Sequence, residues 1–209
     1  YFTLERTVEF LLQCEREGIT THQYSTPDRR SEGLRLARER GSKMHFICLH
    51  AERAKIKSVV ESDRPIAMAH HGGATDKRFA EGKSSEVHDY VKAAHDSGVM
   101  AGVSAHNPDC IRRIADEGWE VDFFMTCFYY LTRPKAADSG EHAPAVATLE
   151  VSYCFFKDDP LAMAKVIRQV KQPCLAFKIL AAGRKCLSQE MVRETSRFAF
   201  SQIKPTDGV

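Results

Sequence analysis

Histidine recurs where four strand-like runs end. The runs GITTHQYS, KMHFICLH, PIAMAHHGG and VMAGVSAHNP place His22, His50, the His70–His71 pair and His106 at or near their C-terminal ends. Imidazole moves protons near neutral pH and ligates divalent transition metals. Brought together from separate strands, His22, His50, His71 and His106 would hold such a metal with an open position. That arrangement supports hydrolysis, isomerisation or lyase chemistry. Without metal, the same side chains would act as acid and base on a hydroxyl or carbonyl substrate. A third reading has them satisfied structurally by hydrogen bonds. No HxH or HExxH spacing decides among the three. Strand alternation keeps His70 and His71 from facing the same side. Ala67 and Ala69 share a face with His71, while Ile66 and Met68 suit packing against helices, so His71 is the expected site member.

Lys178 closes the otherwise apolar run CLAFKIL. A lysine there can be a base, a Schiff-base nucleophile or an anion ligand, or simply half of an ion pair. His50, His71 and Lys178 are therefore the expected catalytic group. Gly183, Arg184 and Lys185 form a basic turn directly after it. Cys127 is a candidate thiol, although a buried small hydrophobe is the plainer reading. Asn107 precedes Pro108 and reads as a helix N-cap, with ligand contact as its alternative role. Gly72-Gly73 reads as a turn that lets backbone approach a ligand closely.

The elements that must position these residues alternate. LERTVEFLLQCEREG carries Leu4, Val8, Leu11 and Leu12 on one helical face and stops at Gly18. SEGLRLARERG is a second helix. AERAKIKSVVES turns Ile56, Val59 and Val60 inward. SEVHDYVKAAHDSG repeats Val87, Tyr90, Val91 and Ala94 at helical spacing. DCIRRIADEG, DPLAMAKVIRQV and SQEMVRETSRFAFSQI complete the helices, and VDFFMTCF and PCLAFKIL the strands. Residues about 131–157 read as an irregular insertion or lid. Six strands, and the start of a seventh at DGV, each follow a helix. This alternation predicts a parallel sheet with helical crossovers. Polar residues end nearly every strand and no GxGxxG turn follows one, which favours a TIM (β/α)8 barrel over an open doubly wound sheet. The expectation is one barrel domain over 1–209, incomplete, lacking its first strand and most of its last.

The bulk composition fits an ordinary globular enzyme. The 209 residues are 43% hydrophobic and 28% charged, with a net charge of +2. That charge gives no reason to expect a nucleic-acid or acidic-membrane partner. No apolar run approaches the roughly 20 residues of a membrane span. The seven scattered cysteines show no CxxC spacing and read as buried thiols of a reduced, cytoplasmic compartment. The chain starts at Tyr1 rather than Met, which leaves room for a processed leader.

The order of these segments resembles the aldo/keto reductases over almost the whole chain. GITTHQYS with Ser31-Glu32 is similar to that family's second strand and the segment after it. HFICLH resembles its third strand and IAMAHH its LLH strand. VMAGVSAHNPDCIRRIADEG resembles its IGVSNF segment, and VDFFMTCFYYLTR its DVVQVEYNLL strand. CLAFKILAAGR is similar to its IAYSPLAGG turn, and RFAFSQIKPTDGV to the helix before its last strand. The resemblance implies a reductase barrel, yet the tetrad of Asp, Tyr, Lys and His is not kept. Gln23, about Asp28, and His50 stand in the first three slots, and His70 or His71 in the fourth. Ser104 keeps half of a nicotinamide-holding Ser-Asn pair, Asn107 is displaced from the other half, and Met125 falls near a glutamine slot. The resemblance thus implies either of two chemistries on a small polar hydroxyl or carbonyl substrate. One is a histidine-based site that replaced the reductase tetrad, either assisted by a divalent metal or acting as acid and base. The other is a divergent oxidoreductase whose NADP is held by Ser104, Asn107 and Arg184. A barrel that only binds a ligand or partner is the third expectation.

Overall fold

The computed structural model describes residues 3–25, 29–133 and 154–209. Helices and strands alternate as α1 (Leu4–Arg16), β1 (Thr21–Ser25), α2 (Arg29–Glu39), β2 (His45–His50), α3 (Ile56–Asp63) and β3 (Ala67–His70). Two helices then follow, α4 (Gly72–Ala80) and α5 (Ser84–Asp96), before β4 (Met100–Ala105) and α6 (Pro108–Asp116). The chain continues through β5 (Phe123–Cys127), α7 (Asp159–Gln169), β6 (Cys174–Phe177) and α8 (Gln189–Gln202). The strands form one sheet in chain order, β1-β2-β3-β4-β5-β6. The pairs β1/β2, β2/β3 and β5/β6 are parallel. This is an α/β fold with a parallel sheet, as a partial TIM barrel has. Of the irregular insertion expected at about 131–157, residues 134–153 lie outside the described residues.

The chain divides into two compact units, residues 1–71 with 87–102, and residues 72–86 with 103–209. In the first unit, β2 is buried from Phe46 to Leu49, the pattern of a strand covered on both faces. The helices bury the residues their spacing singles out. Val8 and Leu11 of α1, Ile56 and Val59 of α3, and Val87, Tyr90, Val91 and Ala94 of α5 are all buried. Their burial is the main favourable term, about 25 cal/mol per Å² of apolar surface. A polar brace crosses this core. The hydroxyl of Tyr24, which is wholly buried, donates to Asp63 Oδ2 at 2.8 Å. Arg38 lies 4.5 Å over the Phe46 ring and donates to the carbonyls of Asp63 and Arg64. Those carbonyls sit where α3 ends, with Arg64 at φ 49°.

In the second unit, all five residues of β5 are buried, and α6 turns Cys110, Ile111 and Ile114 inward. Asn107 caps α6, accepting from the Asp109 N–H at 3.0 Å, with Pro108 next. Beyond β6, Gly208 forms an isolated parallel bridge to Leu175, and its N–H donates to Cys174 O at 2.9 Å. Two local expectations are corrected. Gly72-Gly73 is not a turn but the opening of α4. Strand β6 stops at Phe177, and Lys178 is already in the left-handed region at φ 57°. The apolar run continues past the strand because Ala181 packs inside a 3₁₀ turn, Ala181–Gly183.

Burial pushes the Tyr24 hydroxyl well above the usual tyrosine range, helped by Cys48 and the bond to Asp63. Burial does the same to Tyr90. Both stay protonated in the fold at a pH where unfolded tyrosines, with a pKa of about 10, ionise. The unfolded chain then binds fewer protons, so stability is complete below about pH 10 and falls as pH rises further. Urea unfolding at pH 7, 9 and 11 checks this. Tyr24→Phe should cost about 1 kcal/mol at pH 7 and lose less than the parent chain between pH 9 and 11. An unchanged pH dependence in the variant sinks the assignment.

Candidate functional site

The second unit builds a compact polar group where β4 ends. Ala101, Val103 and Ala105 bury the strand, and His106, the next residue, is only 7% exposed. Asp76 reaches it from α4. Its Oδ2 lies 3.0 Å from His106 Nδ1 and also accepts the His106 backbone N–H at 3.0 Å. Its Oδ1 accepts the Asn107 N–H at 3.2 Å. Thr132, just beyond β5, donates its hydroxyl to Oδ2 at 2.7 Å. A carboxylate can only accept, so the Nδ1–H tautomer of His106 is the one this geometry holds. That leaves Nε2 to take or give a proton. The ring is also fixed edge-on to Phe177, 5.8 Å between centroids.

Glycine at position 72 makes this closeness possible. A Cβ there would stand 2.9 Å from Ser104 Oγ and 3.1 Å from His106 Cε1. Ser104 is wholly buried, and its hydroxyl has no hydrogen-bond partner among the described residues. The Cys110 thiol also faces Asp76, and burial first, then that carboxylate, pushes it far above the ordinary thiol range.

A cleft of about 670 Å³ opens in the same unit beyond the ends of β5 and β6. Phe128, Tyr129 and Phe155 line it, with Leu161 from α7 and Phe198 from α8. Lys157, Arg184 and Lys185 are its cations and Glu194 its carboxylate.

The expected site residues are spread over both units. In the first, His22 sits edge-on to Phe46 at 6.5 Å between ring centroids. His50 pairs in register with His70 and accepts the Glu52 N–H on Nδ1 at 2.9 Å. His70 is buried edge-on against Tyr90 of α5, centroids 5.0 Å apart, so it faces the helix layer. His71 is exposed just past β3, its N–H on the His50 carbonyl at 3.2 Å. Among the described residues, no three His, Cys, Asp or Glu side chains come together to hold an ion. Nδ1 of His50 is taken by backbone and Nδ1 of His106 by Asp76, so neither histidine is oriented by a partner histidine.

In the second unit, Lys178 is exposed with Nζ 6.0 Å from the Phe177 ring centroid. The Arg184 guanidinium lies 4.1 Å over Phe155. Ser104 and Asn107 are where β4 meets α6, but Ser104 lies under Gly72 and Asn107 caps the helix. The Cys127 thiol is buried and pushed up to about 12, mainly by that burial. It is a packing residue, not a thiolate. Asp28 lies outside the described residues. Asp76 and Thr132 are functional candidates that reading the strands alone misses. The signal for Asp76 is present: Gly72, Thr75, Asp76 and Phe79 fall at i, i+3, i+4 and i+7 of a helix, with a lone carboxylate on that face.

No protein-family model matches this sequence. No curated protein matches it either. Solved structures match its fold. The chain is similar to the N-acetylmannosamine-6-phosphate 2-epimerase of Clostridium perfringens, at 10% identity and a TM-score of 0.58, covering 99% of this chain and 79% of that one. It is also similar to a truncated form of 3-deoxy-D-arabino-heptulosonate 7-phosphate synthase from Thermotoga maritima. There the identity is 13% and the TM-score 0.56, over 96% of this chain and 67% of that one. The likeness establishes the barrel-type fold. It overturns the resemblance to aldo/keto reductases, because both matched structures are barrels of unrelated families. The quoted segments are short apolar strands closed by polar residues, a pattern that parallel barrels share. No helix among the described residues is long and apolar enough to cross a membrane.

Two measurements test this geometry. Asp76→Ala strips buried N–H groups of His106 and Asn107 of their acceptor, at about 1–3 kcal/mol each. Its unfolding free energy should fall by about 2–4 kcal/mol, and Asp76→Asn by less, since an amide oxygen still accepts. Equal losses in the two variants contradict the assigned bonds. Thiol labelling at pH 8 should reach the exposed Cys186 first, and Cys127 and Cys174 only after unfolding, because burial pushes both thiols up to about 12. Rapid labelling of Cys127 in the folded chain rejects its packing role.

Proposed function

We propose that this chain is a barrel enzyme that moves protons on a small hydroxyl- or carbonyl-bearing molecule, most simply a phosphorylated sugar derivative. The observation that carries the reading is the buried Asp76–His106 pair at the end of β4. Strand C-terminal ends are where barrel enzymes place their chemistry. A carboxylate on Nδ1 orients the ring and stabilises the imidazolium that forms when Nε2 accepts a proton. In this reading His106 is the acid/base and Asp76 and Thr132 are positioning residues. Lys178, with Nζ 6.0 Å from the Phe177 ring centroid, is a second polar group, suited to an oxyanion. The substrate class is supported by the two matched structures, whose names are those of a sugar-phosphate epimerase and a synthase of a sugar 7-phosphate. His50 and His71 have no place in this pair.

A screen of aldose, ketose and amino-sugar phosphates in D2O, followed by proton NMR, tests the proposal. A substrate should show enzyme-dependent exchange of a carbon-bound proton next to its carbonyl. His106→Gln should slow that exchange by at least about 100-fold, the usual worth of a general acid/base. Exchange that proceeds unchanged in His106→Gln defeats the assignment.

A further inference from the structure

The cleft beyond β5 and β6 is more apolar than a sugar phosphate needs. Phe155, Leu161 and Phe198 line it together with Phe128 and Tyr129; Leu161 and Phe198 are 50% and 39% exposed, while Phe128 and Tyr129 are buried. Apolar side chains of this size in a concave site gain from a flat apolar occupant. Its charges are unbalanced as well. Lys157, Arg184 and Lys185 face one lining carboxylate, Glu194, and none of the three cations is ion-paired among the described residues. Arg184 is held in place without a carboxylate. Its guanidinium stacks on Phe155, and Nη1 donates to Ala181 O at 3.3 Å. The turn that presents it is strained: Lys178, Ala181 and Ala182 all take positive φ, 57°, 51° and 50°, with side chains that disfavour it. Such outliers cluster at ligand clamps.

We infer that this cleft binds an organic phosphate monoester whose other end is a planar apolar ring. The ring packs against the exposed Leu161 and Phe198 side chains of the lining, and the phosphate meets its cations Arg184, Lys185 and Lys157. Arg184 suits this role because a stacked guanidinium keeps its edge free for bidentate contact with phosphate oxygens. The inference rests on the cleft alone and stands or falls separately from the acid/base role of His106.

Phenyl phosphate is the probe, with inorganic phosphate and phenol as its two halves, each titrated into the whole chain by ligand-observed NMR. Phenyl phosphate should bind at least tenfold more tightly than either half. Arg184→Ala with Lys185→Ala should weaken it at least tenfold. Phe198→Ala, at a half-exposed helix position, should weaken phenyl phosphate several-fold and leave inorganic phosphate unchanged. His106→Gln should leave all three affinities unchanged while abolishing exchange, so failure of one reading is separable from failure of the other. Phenyl phosphate binding no tighter than inorganic phosphate, or indifferent to Phe198→Ala, overturns the inference.

Discussion

A single buried carboxylate organises the candidate site. Asp76 is 6% exposed, and removing a carboxylate from water costs several kcal/mol unless hydrogen bonds replace the lost hydration. Here four donors replace it: the His106 ring, the His106 and Asn107 backbone and the Thr132 hydroxyl. Those donors come from the end of β4 and from the turn after β5, while the carboxylate comes from α4. Meeting the needs of one side chain therefore fixes three segments relative to one another within the second unit. The orientation and tautomer of His106 follow from that constraint rather than from anything local to the histidine. Gly72 is its steric complement, since any Cβ would push α4 away from Ser104 and His106.

The segment after β6 works on a different principle. There the backbone is held in an unfavourable region at three non-glycine residues, and Arg184 is steadied by an aromatic face rather than by an acid. An arginine in a carboxylate pair is already neutralised; one on a ring keeps its charge for a ligand. Arg133 in the same unit also lies over rings, Tyr130 and Phe156, but differs in having a carboxylate partner. It pairs with buried Asp159 at 2.5 Å, and Asp159 also accepts the Tyr130 N–H, so that cation is structural.

The elements were legible because their patterns are periodic. Alternating runs and caps located all six strands and most helices, down to the Asn107-Pro108 start of α6. The histidines were a poorer guide, because strand-end position does not say which way a ring points. His70 turned to Tyr90 and His50 to the backbone of Glu52. The missing partner is hidden by composition: Gly72 and Gly73 disguise the first turn of α4, the helix that carries Asp76. Thr132 was out of reach in principle, since its bond to Asp76 spans 56 residues and no local pattern encodes it.

The family resemblance failed for a related reason. Motif order reports the succession of strands and helices, and that succession belongs to the architecture, which hosts many chemistries. Chemistry belongs to the few side chains whose partners are fixed. The His106 ring is held by a buried carboxylate, against an aromatic edge, just past a strand's C-terminal end. A histidine so held has already lost the rotational freedom that an unanchored side chain must give up on meeting substrate. Preorganisation, not abundance of histidine, is what distinguishes position 106.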